Sequence, residues 1–132
     1  MIKQIDVVGA VVIREGKVLC AQRGPGGALA GLWEFPGGKI ETGETAREAL
    51  EREIREELCC DITVGDEVTT TVHDYDFGRV TLTTYFSDLI SGDVRLTEHS
   101  DVRWLEPRSL ADLDWAPADL PAVERVIKAF AS

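Results

Sequence analysis

The amino-acid sequence predicts an α+β domain in which a mixed sheet is flanked by helices. Runs rich in β-branched and aromatic residues occur in both halves of the chain, at residues 5–13, 17–22, 62–76 and 80–89. Residues 45–58 and 120–130 instead carry apolar side chains at helical spacing. The length of 132 residues is that of one domain, so residues 1–132 are predicted to form a single unit.

The first two elements are predicted to be neighbouring strands. Residues 5–13 and 17–22 are separated by Arg14-Glu15-Gly16, a break that is typical of a hairpin. Residues 23–32 are rich in glycine and are predicted to form a loop. A short strand at residues 33–35 then leads into the predicted turn Pro36-Gly37-Gly38.

A helix is predicted to follow this turn. Thr45, with Glu48 three residues later, is the signature of a capping box, which marks the helix start. One apolar stripe of this helix is expected to face the core, and its members are Ala46, Leu50, Ile54 and Leu58.

The second half of the chain contains three predicted strands and a terminal helix. Residues 62–76 and 80–89 flank a turn at Phe77-Gly78-Arg79, and another strand surrounds residues 102–105. Ser109 is expected to open a short helical turn, and residues 120–130 form an amphipathic helix.

The helix at residues 45–58 has a second face made of carboxylates. Glu53, Glu56 and Glu57 stand at i, i+3 and i+4 and therefore share one side. Like-charge neighbours on a helix cost about 0.2–0.5 kcal/mol per pair, so the arrangement gains from a neutralising partner. Oxygen ligands of this kind suit Mg²⁺ or Mn²⁺, and Mg²⁺ leaves positions for water and substrate phosphates.

A salt-bridged surface helix is the alternative interpretation of the same residues. Glu48 with Arg52, and Glu51 with Arg55, are i,i+4 pairs of the kind that support solvated helices. The glycine turn at a fixed distance ahead of the helix favours the metal site, because a surface helix has no need of such a turn.

Residues 38–60, GKIETGETAREALEREIREELCC, resemble the Nudix box, G-x5-E-x7-R-E-u-x-E-E-x-G-u with u apolar. Cys59 is the one departure, since it stands where the family has the glycine that ends the helix in a left-handed conformation. A side chain there is expected either to add strain of about 1 kcal/mol or to make the helix end differently. Three flanking segments are similar to the MutT-type nucleoside triphosphate pyrophosphohydrolases, including the group acting on cytosine nucleotides: residues 21–23, 31–38 and 117–119.

The resemblance implies the Nudix α/β/α sandwich and the conversion of a nucleoside triphosphate and water to monophosphate and pyrophosphate. The implied cofactor is Mg²⁺, with Mn²⁺ as the alternative ion. The residues implied as metal ligands are Glu53, Glu56, Glu57 and the carbonyl of Gly38 or Gly37, with Glu44 in support.

Two further catalytic residues are implied. Arg52 would orient a glutamate rather than touch the substrate. Glu98 matches a MutT-type loop glutamate that ligates metal or accepts the proton of water, and Glu56 and Glu57 compete with it as general base. The alternative for Glu98 is a solvated loop charge.

Three residues are implied to contact the nucleotide. Arg23 matches the family's phosphate-contacting arginine, and Phe35 either stacks on the base or packs in the core. Asp119 stands where members specific for 8-oxoguanine can use asparagine. An ionised aspartate cannot donate a hydrogen bond, so it suits the donor edge of cytosine or of a turned guanine. Alternatively, Asp119 only caps the helix that begins at Leu120.

The remaining candidates are assigned to structure. His73 and His99 have no visible partner, and core packing is the default for Trp33, Trp104 and Trp115. Cys20, Cys59 and Cys60 lack metal or disulfide spacing and are expected to be thiols in a reducing cytosol.

The amino-acid composition limits the kinds of partner that the protein is expected to bind. With Lys+Arg 14 against Asp+Glu 24, the net charge of -10 argues against binding nucleic acid polymers or anionic lipid. No apolar run approaches 18 residues and no leader precedes the first strand, so a cytoplasmic protein without membrane association is expected. The sequence does not indicate the oligomeric state.

Two rival functions use the same fold. A non-catalytic ligand-binding module is disfavoured because no carboxylate of the box is missing. A Nudix enzyme for a nucleotide sugar or dinucleotide is disfavoured by the compact length.

Overall fold

The computed structural model describes residues 2–97 and 99–131, which form seven strands, two α-helices and two 3₁₀ helices. The strands are β1 (Gln4–Arg14), β2 (Lys17–Arg23), β3 (Trp33–Glu34), β4 (Gly37–Lys39), β5 (Asp61–Tyr75), β6 (Gly78–Ser91) and β7 (His99–Leu105). Helix α1 is Ala46–Leu58, helix α2 is Leu120–Ala129, and the 3₁₀ helices are Pro107–Asp112 and Pro117–Asp119. In this part of the chain, no helix is long and apolar enough to cross a membrane.

The strands form one mixed sheet with β1 near its centre. The main order is β3-β2-β1-β6-β5, with β4 also paired to β1 and β7 to β2. Strands β1 and β6 run parallel, with Val8 opposite Thr83, and the other pairs are antiparallel. Parallel strands need a crossover connection, and the chain segment that connects β1 to β6 contains α1.

Strand β1 is apolar along most of its length because helices cover both faces of the sheet. Val8, Ala10 and Val12 belong to the core cluster that contains the buried face of α1. Val11 belongs to the cluster that contains Val123 and Val126 of α2. Helices thus lie on both faces of the sheet, which confirms the predicted α+β class and the α/β/α sandwich.

Helix α1 begins and ends as the sequence predicts. Thr45 accepts a hydrogen bond from the Glu48 N–H and the Glu48 side chain accepts one from the Thr45 N–H, which completes the capping box. Leu50, Ile54 and Leu58 are fully buried, and Ala46 is half-buried. Cys59 has φ 58° and ψ 33°, so a residue with a side chain occupies the left-handed position.

Gly37–Lys39 is a strand, and the prediction that Pro36-Gly37-Gly38 is only a turn was wrong. Val8 pairs with Gly38 in an antiparallel register. A Cβ atom on Gly37 would overlap the carbonyl oxygen of Val8 and lie 2.9 Å from the Gly9 Cα atom. Glycine is needed here because two backbones approach closely, and a turn is not the reason.

Three other boundaries also differ from the predictions. The β5–β6 turn consists of residues 76–77, since Gly78 already belongs to β6. Strand β7 begins at His99 because its polar first residues pair with β2, which sequence alone does not reveal. The first 3₁₀ helix begins at Pro107 rather than Ser109, and proline is favoured in a first turn.

Candidate active site

A cavity of about 580 Å³ gathers side chains from widely separated parts of the chain. Its lining includes five of the residues predicted for the site: Arg23, Phe35, Gly38, Glu57 and Asp119. Arg52, Glu53 and Glu56 lie on the same helix as Glu57. Glu98 lies outside the described residues, so its role stays a prediction.

Arg52 is the centre of the charged network on α1. Its Nε and Nη2 atoms donate to the two carboxylate oxygens of Glu44, at 2.6 and 2.9 Å. Its Nη1 atom donates to Glu53 at 2.8 Å and to Glu56 at 3.2 Å. The hydrogen bonds from Arg52 lower the pKa of Glu44 to about 2. Arg52 therefore offsets the repulsion among the helix carboxylates and fixes the orientation of Glu53.

Among the described residues, α1 has one i,i+4 ion pair, Arg52 with Glu56 at 3.2 Å, in place of the two pairs expected from the sequence. Arg52 bonds Glu44 on the preceding loop, while Glu48 completes the capping box. Arg55 pairs with Asp61 at the start of β5, at 3.0 Å. Arg52 thus bonds a loop glutamate as well as carboxylates of its own helix, and Arg55 reaches beyond the helix, so neither arginine makes its expected i,i+4 pair.

Gly38 makes room for the Glu53 carboxylate. A Cβ atom on Gly38 would come within 2.5 Å of Oε2 of Glu53. No real side chain tolerates such a contact, so the absence of a side chain at residue 38 lets the carboxylate lie against the β4 backbone. The position of the Glu53 carboxylate thus depends on glycine at residue 38 of the Nudix box.

The carboxylate oxygens of α1 suit a hard divalent cation in their chemistry. They belong to Glu53, Glu56 and Glu57, of which Glu53 lies against Gly38 of β4, and such oxygens suit Mg²⁺ or Mn²⁺. Within residues 2–97 and 99–131, no three His, Cys, Asp or Glu side chains converge closely enough to hold an ion. The Glu56 side chain is 62% exposed and bonds Arg52 at 3.2 Å. The ligand set therefore stays a prediction.

Asp119 is buried and occupies the N-cap position of α2, but its side chain does not cap the helix. It is 6% exposed, its Oδ1 atom accepts the Phe35 N–H at 3.0 Å, and it makes no side-chain capping bond to α2. Burial raises the pKa of Asp119 to about 8, and the charge of Glu34 adds to the rise. Below this pKa the protonated form of Asp119 is favoured, whereas the expectation from the sequence concerned the ionised form. A protonated carboxyl can donate as well as accept.

Glu34 joins Arg23 to His99, a connection that the sequence did not reveal. Arg23 Nη1 donates to Glu34 Oε1 at 2.8 Å, and His99 Nε2 lies 2.9 Å from Glu34 Oε2. Arg23 Nε also donates to the Ala28 carbonyl at 3.1 Å. All three of Arg23, Glu34 and His99 line the cavity. Because Glu34 and His99 are 65 residues apart, no local pattern could have paired them.

Phe35 belongs to both the core and the cavity wall. It is 3% exposed, and its ring centroid lies 4.8 Å from that of Trp115. Trp33 and Trp115 are each 5% exposed, which confirms the prediction that they pack in the core. Contact of Phe35 with a base stays a prediction.

Comparison with known proteins assigns the family. The NUDIX domain model matches residues 7–125, and the chain belongs to this family. It is 39% identical over 122 residues to the CTP pyrophosphohydrolase of Escherichia coli. That match covers 92% of this chain and 90% of the relative. It is 38% identical over 81 residues to the 8-oxo-dGTP diphosphatase of Proteus vulgaris. That match covers 61% of this chain and 72% of the relative.

Solved structures agree with this assignment. The DNA mismatch repair protein MutT of methicillin-resistant Staphylococcus aureus, a Nudix hydrolase, superposes with a TM-score of 0.80 at 52% identity. The match covers 98% of this chain and 99% of that chain. Members of the family hydrolyse small phosphorylated substrates and depend on divalent cations.

Proposed function

We propose that this protein, an enzyme that hydrolyses nucleoside triphosphates, acts on nucleotides with an 8-oxoguanine or a cytosine-type base and releases the monophosphate and pyrophosphate. The observation that carries the proposal is the composition of the cavity. The buried carboxyl group of Asp119 lines the same cavity as Gly38 and as Glu57 of helix α1. One ligand can therefore place its base at Asp119 and its phosphates at α1. The named activities of the relatives support both base classes.

The metal is proposed to be Mg²⁺, held by Glu53, Glu56, Glu57, the Gly38 carbonyl and Glu98. Such an ion neutralises phosphate charge and lowers the pKa of water. The protein's own part is to hold these oxygens in place, and Arg52 does so for Glu53 through its 2.8 Å bond. Activity in Mg²⁺ is expected to exceed activity in Mn²⁺, and the reverse order would replace Mg²⁺ in the proposal.

Arg23 is proposed to bind a phosphate group of the substrate. Its side chain lines the cavity and is 38% exposed. The general base is proposed to be Glu98, with Glu56 and Glu57 as competitors. Replacing each of the three by glutamine and following the pH dependence of kcat identifies the base, because only its loss removes the acidic limb of the profile.

The protonation state of Asp119 is proposed to determine which base is favoured. Below a pKa of about 8 the carboxyl group both donates and accepts, as an amide does. That pattern fits 8-oxoguanine, whose N7 carries a hydrogen beside the O6 acceptor. Above this pKa the carboxylate only accepts, and it then suits the N4 amino group of cytosine.

The test is kcat/KM for 8-oxo-dGTP, dGTP, dCTP and CTP, measured on both sides of pH 8 for the wild type and Asp119→Asn. In the wild type the ratio of 8-oxo-dGTP to dCTP is expected to fall as pH rises. The asparagine variant should keep a high ratio, and it corrects for any titration of the substrates. A hydrogen bond to a buried base edge changes discrimination by about 1–3 kcal/mol. Identical ratios in both proteins at every pH would retire Asp119 as the residue that reads the base.

A further inference from the structure

His99 occupies a buried position next to the cavity and has one described bonding partner. Its side chain is 5% exposed, and its Nε2 atom lies 2.9 Å from Oε2 of Glu34. A carboxylate oxygen accepts hydrogen bonds, so the hydrogen of this pair belongs to Nε2 of the imidazole. Strand β7 supplies His99 directly opposite Arg23 of β2, where the register of the two strands shifts. His99 is thereby fixed by the sheet itself.

Glu34 uses its two carboxylate oxygens for two different partners. Oε1 accepts from Arg23 and Oε2 faces His99. The exposed fraction of the side chain rises along this series, from 5% at His99 to 17% at Glu34 and 38% at Arg23. These three side chains therefore form a chain of contacts from the buried His99 to the partly exposed guanidinium of Arg23.

The consequence for Arg23 is a fixed guanidinium. Its described bonds use Nε, which donates to Ala28, and Nη1, which donates to Glu34. The guanidinium has five donors in a rigid fork, so Nη2 remains for a phosphate oxygen in this arrangement. If Oε2 of Glu34 lost its partner, the carboxylate could turn and take both arms of the fork in a bidentate pair. Arg23 would then have less to offer a phosphate.

We propose that His99 is a positioning residue for substrate binding: it holds Glu34 so that Glu34 engages one arm of Arg23 and leaves the other to the nucleotide. His99 itself touches neither phosphate nor metal in this proposal. The inference rests on the phosphate role proposed for Arg23.

Two variants of His99 that carry the same amide group distinguish the effect of the hydrogen bond to Glu34 from the effect of having any polar side chain at residue 99. The terminal nitrogen of glutamine reaches about as far as Nε2 of histidine, while that of asparagine reaches only as far as Nδ1. His99→Gln should therefore keep the bond to Glu34, and His99→Asn should lose it. Loss of a hydrogen bond to a charged group corresponds to a change of about tenfold in binding.

The measurements are KM and kcat for dCTP, the dissociation constant of dCMP by calorimetry, and the melting temperature. His99→Asn is expected to raise KM and the dCMP dissociation constant about tenfold while kcat stays within about threefold, as expected for lost ground-state binding. His99→Gln should restore wild-type values. Equal binding by the asparagine and glutamine variants would overturn the proposal, and so would a fall in kcat with unchanged dCMP affinity.

The same substitutions in an Arg23→Ala background decide whether His99 acts through Arg23. In that background His99→Asn is expected to have no further effect on binding, because coupled residues are not additive. A full additional loss would refute the route through Arg23. If Arg23→Ala alone leaves dCMP affinity unchanged, the phosphate role of Arg23 fails and this inference fails with it. Calorimetry needs no turnover, so this outcome is distinct from a failure of the proposed hydrolysis.

Discussion

Replacing Gly38 by alanine separates the position of the Glu53 carboxylate from the stability of the fold. The new Cβ atom would come within 2.5 Å of Glu53 Oε2, and the nearest atoms all belong to the end of a flexible side chain. The carboxylate is therefore expected to swing away from β4 while the backbone stays in place. Its 2.8 Å bond to Arg52 would be lost with it.

The expected change in stability is small. Loss of a partly exposed ion pair costs at most about 1 kcal/mol, and alanine in place of glycine returns about 0.4–1 kcal/mol through the unfolded state. The melting temperature should therefore move by less than about 4 °C. Activity should suffer far more, since misplacing a catalytic group by about 1 Å can reduce the rate by about 100-fold.

Gly37→Ala is the matched contrast. Its Cβ atom would overlap the backbone oxygen of Val8, which cannot move without breaking the β1–β4 pairing. That variant should lose both activity and thermal stability. The assay is kcat/KM for dCTP in Mg²⁺ beside a thermal melt. A Gly38→Ala enzyme that keeps kcat/KM within about threefold of the wild type would refute the requirement for Glu53 in its observed position.

The other variants test the carboxylates, the helix end and the buried acid. Glu56→Gln and Glu57→Gln should each lower kcat by orders of magnitude with an unchanged circular dichroism spectrum; full turnover of both in saturating metal would remove them as ligands. Cys59→Gly should raise the melting temperature by about 3 °C, whereas Cys59→Ala, which keeps the left-handed strain, should not; a clear drop for the glycine variant would show that the cysteine side chain packs. Because the folded state raises the pKa of Asp119 from 3.8 to about 8, the stability that Asp119 contributes is complete below 3.8 and is lost as pH rises through 8. Urea unfolding should therefore show the advantage of Asp119→Asn growing over this range, and a constant difference would contradict the raised pKa.

Local chemistry accounts for the features that the sequence predicted well. The capping box of α1 depends on Thr45 and Glu48, three residues apart, and both of its hydrogen bonds form. The apolar stripe of α1 follows from periodicity alone. Of the two expectations for Cys59, a strained left-handed residue and a differently ended helix, the structure shows the left-handed residue.

Long-range contacts account for the features that it missed. Phe35 and Asp119 are 84 residues apart, and only the folded chain shows that their bond draws the carboxyl group away from the helix end. The raised pKa of Asp119 comes from burial, which composition does not encode. Strand β4 was mistaken for a turn because the reason for Gly37 is the nearby Val8 backbone.

Analysis of the reaction products tests the central claim most directly. Purified protein would be incubated with 8-oxo-dGTP or dCTP and Mg²⁺, and the products would be separated and assayed for pyrophosphate and orthophosphate. The account predicts a nucleoside monophosphate and pyrophosphate in equal amounts, with no reaction after the metal is removed by a chelator. A nucleoside diphosphate with orthophosphate, or no hydrolysis of any nucleoside triphosphate by folded, metal-supplied protein, would contradict it.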